Sequence, residues 1–319
     1  MATPTLRAAR PDSAAVVLID RLVEALDRIV LGKTFQLKLA VACLLARGHL
    51  LIDDVPGVGK TTLAHALARA LGLTYQRIQF TSDLLPADVI GVSVFNRDRQ
   101  RFEFHKGPLF AQLVLADEIN RATPKAQSAL LEAMEERQVT ADGQTYALPA
   151  PFFVVATRNP ANQIGTFPLP ESQLDRFLMQ ISLGYPDAKH ERRLLVEGER
   201  RTLVEEQEPV LSLDALTRLQ QEVPRVHLAE PLLDYAQALI AHTRTRGDLA
   251  AGLSPRAGLA LVRAAQAWAL MAGHAGVHPD DVQAVFPCVA AHRLELAPGN
   301  ERSSLGDLGA SILEAVPVP

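Results

Sequence analysis

Three groups of residues in this chain could do chemistry together. The stretch LIDDVPGVGKTT (51–62) places Gly57 and Gly59 ahead of Lys60 and Thr61. Glycines let a backbone turn approach an anion closely, a lysine ammonium can reach the outer phosphates of a nucleotide, and a threonine hydroxyl can bind Mg2+. The second group, LVLADEIN (113–120), ends an apolar run in Asp117 and Glu118. The first carboxylate is placed to hold Mg2+, the second to orient and polarise an attacking water. The third, FFVVATRNP (152–160), ends another apolar run in Asn159, a polar residue able to position that water. Together they suit phosphoryl transfer from a nucleoside triphosphate to water. No N-K-x-D run occurs, so guanine selection has no support and ATP is the favoured nucleotide.

These groups need strand ends and a helix start to position them. GHLLI (48–52) reads as a buried parallel strand, and KTTLAHALARALG (60–72) has Leu63, Ala66, Leu67, Ala70 and Leu71 at helical spacing with Gly72 as a stop. Strand, glycine turn and helix aim backbone N–H groups and a helix N-terminus at phosphate. The binding loop is then Val55, Pro56, Gly57, Val58, Gly59, Lys60, Thr61 and Thr62. The usual pattern, G-x-x-x-x-G-K-[ST], has glycine where this chain has Asp54. At the loop's entrance an aspartate need not touch phosphate, provided its backbone avoids positive φ.

Two arginines farther along could cover a γ-phosphate. ESQLDRF (171–177) reads as a polar-edged helix ending in Arg176, and LSPRAGLAL (253–261) opens a helix with Pro255 and Arg256 in its first turn. Each has an ordinary alternative, a surface charge or an early-helix ion pair, as Asn159 before Pro160 could be a turn residue.

In this order the motifs resemble the AAA+ ATPases, and among them the MoxR family. The resemblance is carried by DDVPGVGKTTLA, RIQFTSDLLPADVIG, GPLFAQLVLADEINRATPKAQSALLEAMEERQVT, VVATRNP, FPLPESQLDRFLM, LSPRA and ILEAVPVP, spanning about residues 15 to 317. Aspartate at the first loop position occurs in that family, so Asp54 does not imply lost nucleotide binding. The resemblance implies that Lys60 and Thr61 are the Walker A pair and Asp117 and Glu118 the Walker B pair, with Thr61 and Asp117 on Mg2+. It makes Asn159 sensor 1 and Arg256 sensor 2. It makes Arg176 the arginine finger, acting in a neighbouring subunit, with Arg121 a second candidate. Two residues depart from the pattern: Arg158 replaces a neutral polar residue, and Thr123 a proline.

The organisation agrees with an α/β P-loop core, a parallel sheet flanked by helices, followed by an all-α lid. Residues 13–47 read as two helices with Ser13 as a possible N-cap, and the core runs to about Pro186. From there to the C-terminus the stretches are helical, which divides the chain into 1–186 and 187–319. GVSVFNRDRQRFEFHKG (91–107) alternates around a polar turn, and Asp142-Gly143 sits between short strands, so both read as β-hairpins. The resemblance makes them insertions facing a ring's central pore, where Arg97, Arg99 and Arg101 could touch a substrate.

Composition narrows the partners. The 319 residues are 48% hydrophobic and 21% charged, and the net charge of −4 gives no global positive field for nucleic acid. With 5% aromatic residues and no appended DNA-binding module, a nucleic-acid motor or loader is the alternative reading rather than the main one. A nucleotide-gated scaffold is weaker still, because Glu118 and Arg176 are not needed for simple binding. Cys43 and Cys288 lack metal spacing and favour a reducing cytoplasm. AAVVLI is too short for a signal core, and no run approaches the roughly eighteen apolar residues of a membrane span. Gly276 and Pro279 break any helix that would align His274 with His278 as metal ligands. The resemblance implies a hexameric homo-oligomer acting on a protein client, often with a von Willebrand factor A-type partner.

Overall fold

A computed structural model describes residues 13–159, 166–198, 200–297 and 305–318. The chain opens with α1 (Ser13–Ile29) and α2 (Thr34–Leu45), followed by β1 (Leu50–Asp53), α3 (Lys60–Ala70), β2 (Tyr75–Gln79) and α4 (Pro86–Ile90). A hairpin of β3 (Gly91–Asn96) and β4 (Arg101–Lys106) precedes β5 (Leu113–Asp117) and α5 (Pro124–Glu136). A second hairpin, β6 (Gln138–Ala141) and β7 (Gln144–Ala147), leads to β8 (Phe153–Arg158), α6 (Glu171–Leu174) and β9 (Met179–Ile181). Helices α7 (Ala188–Glu197), α8 (Arg201–Glu206), α9 (Leu213–Glu222) and α10 (Glu230–Thr245) follow. The remainder is β10 (Leu249–Ala251), α11 (Pro255–Met271), α12 (Pro279–Ala290), β11 (Glu295–Leu296) and α13 (Leu305–Ala315). The Ser13 side chain and Pro160 lie outside the described residues.

Strands β2-β5-β8-β1-β9 form one parallel sheet in that order. β1, β5 and β8 read as nearly unbroken apolar runs because both faces are covered. Alternation then sorts the side chains: Leu50, Ile52, Leu113, Leu115, Phe153 and Val155 join the core under α1, α2 and α3. Leu51, Val114, Ala116, Val154 and Ala156 face the other core, with α5. The parallel register brings Asp53 beside Arg158 and Gln79 beside Asp117, so the polar strand ends collect along one edge. Ligands of open α/β sheets bind outside such carboxyl ends.

Both expected hairpins are present, with Gly91 opposite Lys106 and Gln138 opposite Ala147. Asp142 and Gly143 both take positive φ, as a tight hairpin turn demands. Three details differ from expectation. The ESQLDRF helix is a single turn, because Asp175 and Arg176 leave it for partners elsewhere. The helix expected from 187 breaks at Gly198, whose φ is 75°, into α7 and α8. The lid is helical but carries a short antiparallel ribbon, β10 with β11, too brief to show as periodicity. The first helices also join the lid: α11 packs on both α1 and α2.

Candidate active site

The loop from β1 to α3 adopts the conformation its glycines permit. Gly57 and Gly59 have φ of 87° and 97°, and a Cβ on either would meet nothing within 4 Å. The requirement is therefore conformational, and open space lies over the loop. Lys60, buried, donates to the Asp54 carbonyl, to the Val55 carbonyl at 3.3 Å and to Asn159 Oδ1 at 3.1 Å. Burial pulls its pKa below the ordinary lysine value, and the nearby Asp54, Asp117, Asp53 and Glu118 oppose that shift. Asp54 avoids positive φ and anchors the loop: its carboxylate accepts from Val55 N (2.8 Å), Ser182 Oγ (3.0 Å) and Gly184 N (2.6 Å).

Across the loop stand the acids. Asp117 ends β5 and accepts 2.6 Å hydrogen bonds from Thr157 Oγ1 and from the Arg77 guanidinium. Glu118 leaves the strand with left-handed backbone (φ 56°), which turns its carboxylate away from the line of the strand. Its N–H donates to the same Thr157 hydroxyl at 2.8 Å, so one threonine fixes both acids. The Glu118 carboxylate accepts from Asn159 Nδ2 and Gln79 Nε2, both at 3.0 Å, and pairs with Arg121 at 3.1 Å. Asn159 thus bridges Lys60 and Glu118. Pro56, Gly57, Gly59, Lys60, Thr61 and Thr62 line one cleft of about 310 Å³ with Asp117, Glu118 and Asn159. Val55 stays outside it, and Val58 packs on the core.

A cavity of about 950 Å³ adjoins the loop, walled by Val30 and Leu31 before α2, by Tyr75, and by Tyr185 and Leu194 around α7. Sequence reading missed these residues, and also Arg77, Gln79 and Thr157. The alternation of RIQ along β2 places Arg77 and Gln79 on one face, the signal that could have found them. Arg158, the departure noted beside Asn159, pairs with Asp53 at 2.6 Å, so its charge is balanced locally.

The cleft does not contain Arg176 or Arg256. Arg176 Nη1 donates to the Leu131 carbonyl at 2.6 Å and its Nε lies 3.2 Å from Glu135, with which Arg256 also pairs. Their cavity includes Arg47, Gly48 and His49, which precede β1, whereas the phosphate loop follows it. Four strand residues, about 13 Å, separate the two ends. Arg121 is engaged with Glu118 of its own chain. At the β3–β4 tip, Arg99 and Arg101 both pair with Glu103, which those contacts and Asn96 pull down to about 2, the Asn96 bond first. Contrary to the sequence expectation, a loop rather than a helix does gather these histidines with a carboxylate: His274 stacks on His278 at 4.2 Å, and Asp281, which caps α12 through His278 N, lies 2.9 Å from His274 Nδ1.

A parallel sheet with a phosphate loop after one strand, paired acids after a second and a polar residue after a third, carrying a helical lid, defines a P-loop ATPase of the AAA+ class. A family model described as "ATPase family associated with various cellular activities (AAA)" matches residues 49–179, and one described as "AAA lid domain" matches 241–311. The chain is 40% identical to the Mycobacterium tuberculosis protein "Chaperone MoxR1" over 89% of this chain and 77% of that one. It is 34% identical to "Protein MoxR" of Methylorubrum extorquens over 94% of each. The crystal structure of a putative ATPase from Cytophaga hutchinsonii matches with a TM-score of 0.86 and 34% identity, covering 96% of both chains. The chain belongs to the MoxR family of AAA+ ATPases, and it hydrolyses ATP. Among the described residues no helix is long and apolar enough to cross a membrane.

Proposed function

We propose that this ATPase works as a closed ring, a hexamer, in which each nucleotide is hydrolysed at a junction between two subunits and the cycle remodels protein clients. The observation that carries the reading is the position of Arg176 and Arg256 at the end of the sheet opposite the phosphate loop. A finger there cannot reach the cleft of its own chain but can reach a neighbour's. Within the cleft, Lys60 holds the outer phosphates, Glu118 takes up the water proton and Asn159 positions both groups. The Thr61 hydroxyl and Asp117 carboxylate are hard oxygen donors that would hold Mg2+, which would supply positive charge to offset that of the phosphates. The cavity walled by Val30, Leu31 and Tyr75, with polar groups such as Lys33, Glu191 and Arg201 around them, suits the base and ribose. Residues 187–319 act as the lid. The chaperone name of the mycobacterial relative supports a protein client, the family resemblance adds a von Willebrand factor A-type partner, and the free Cys43 and Cys288 favour a reducing, cytoplasmic setting.

Mixing Arg176→Ala with Glu118→Gln protein tests the reading. Alone, each should turn over slowly, the arginine variant by roughly 10³-fold or more, with nucleotide binding nearly intact. Random mixing leaves about one junction in four with both groups whole, so activity should partly return. If native mass spectrometry shows mixed rings and no activity returns, Arg176 does not act between subunits.

A further inference from the structure

The cavity that holds Arg176 and Arg256 carries more positive charge than its own carboxylates balance. Its wall, around a space of about 290 Å³, brings together Arg47, Arg137, Arg176, Arg256, Arg263 and Arg293 against Glu135 and Asp175. Both carboxylates are already engaged, Glu135 by Arg176 and Arg256, and Asp175 by Arg293 at 2.6 Å. Arg47, Arg137 and Arg263 form no ion pair among the described residues. Among the described residues the Arg137 guanidinium makes one long hydrogen bond, 3.4 Å, to the Arg47 carbonyl. Burial first, then the Arg47 and Arg263 cations, holds its guanidinium below the usual value. His49 in the same wall accepts from Val154 N and is pushed down to about 4, chiefly by burial, so it is neutral at physiological pH and offsets nothing.

Three separate elements aim these cations at one space. Arg47, after α2, and Arg137, the C-cap of α5, both have left-handed backbone with φ of 53°. Such conformations are sparse for residues other than glycine and persist where the surroundings impose them. Arg256 and Arg263 lie seven residues apart on α11, with Leu259 and Ala260 between them on the same face. Like charges gathered without counter-charge repel, and a planar guanidinium fork matches phosphate oxygens.

We propose that Arg47, Arg137 and Arg263 join Arg176 and Arg256 in receiving the polyphosphate end of the nucleotide bound to the adjacent subunit. The inference rests on the ring reading and enlarges its trans contact from two arginines to five. Phosphate is the favoured counter-charge because the three cations open onto the space that Arg176 and Arg256 already share.

The test uses the full chain with Arg137→Ala and Arg263→Ala, alone and combined, and Arg263→Lys. Rings should assemble as in the unaltered protein by native mass spectrometry. The kcat of each alanine variant should fall about tenfold or more, as expected for loss of one charge-assisted contact. The KM for ATP should rise, and the lysine variant should recover part of the loss. Nucleotide affinity, compared between dispersed subunits and assembled rings, should gain from assembly in the unaltered protein and lose most of that gain in the double variant. Intact rings with unchanged kcat, KM and assembly gain would overturn the inference. So would failure to assemble with normal turnover per remaining ring, which would assign these cations to a neighbour's carboxylates. If the Arg176→Ala and Glu118→Gln mixture regains activity while these variants behave normally, this inference fails and the ring reading stands.

Discussion

Lys60 donates to two carbonyl oxygens of its own loop and to Asn159, so a single ammonium organises the loop that would receive phosphate. Replacing it with alanine removes at least two charge-assisted contacts to phosphate oxygens, each about 1.5–3 kcal/mol, so affinity should fall by roughly 100-fold or more. Titration of Lys60→Ala with a fluorescent ATP analogue should show that loss, and full affinity would remove the loop assignment. Lys60, Thr61, Asp117, Glu118 and Asn159 were legible in the sequence because each follows a recognisable apolar strand. Arg77, Gln79 and Thr157 were not. Their contacts depend on β2 lying beside β5 and β5 beside β8, a sheet order that no local pattern states. Asp54 was legible only as a departure, since its partners Ser182 and Gly184 lie far along the chain.

The first hairpin shows how an element is fixed at its root. Gly91 has φ of 116°, and a Cβ there would lie 2.3 Å from the His105 carbonyl and 2.6 Å from Gly107 N. Gly107 is equally confined, since a Cβ there would lie 2.6 Å from Gly91 N, so the strands close up at the two glycines. Gly91→Ala should cost about 1–3 kcal/mol of local strain. It should increase proteolysis within residues 96–101 while ATP affinity stays within about twofold. Unchanged cleavage would show that the root tolerates the side chain. Both hairpins could be read from alternation and turn residues, and most helices from their apolar spacing. The single turn of α6 could not, since Asp175 is drawn to Arg293 and Arg176 to the Leu131 carbonyl, contacts set by the lid and by α5. The β10–β11 ribbon has three and two residues, below the length at which alternation can be read.

Across the whole molecule, β9 joins two places that the proposed ring assigns to different junctions. Arg176 lies just before this strand, and Ser182 and Gly184, just after it, are held by the Asp54 carboxylate at the entrance of the phosphate loop. β9 also pairs along β1, which carries that loop. Asp54→Ala would cut the tie and the Val55 N contact, while keeping the Asp54 carbonyl that accepts from Lys60 and leaving the acids untouched. The Hill coefficient for ATP hydrolysis should fall toward one, with ATP affinity changed only a few-fold. An unchanged coefficient would show that the strand does not carry the signal. In the proposed ring each protomer would be a short beam with its fuel at one end and its hand on the next protomer's fuel at the other. Every beam would point the same way round the circle, so the two neighbours of a spent nucleotide would meet it through unlike ends.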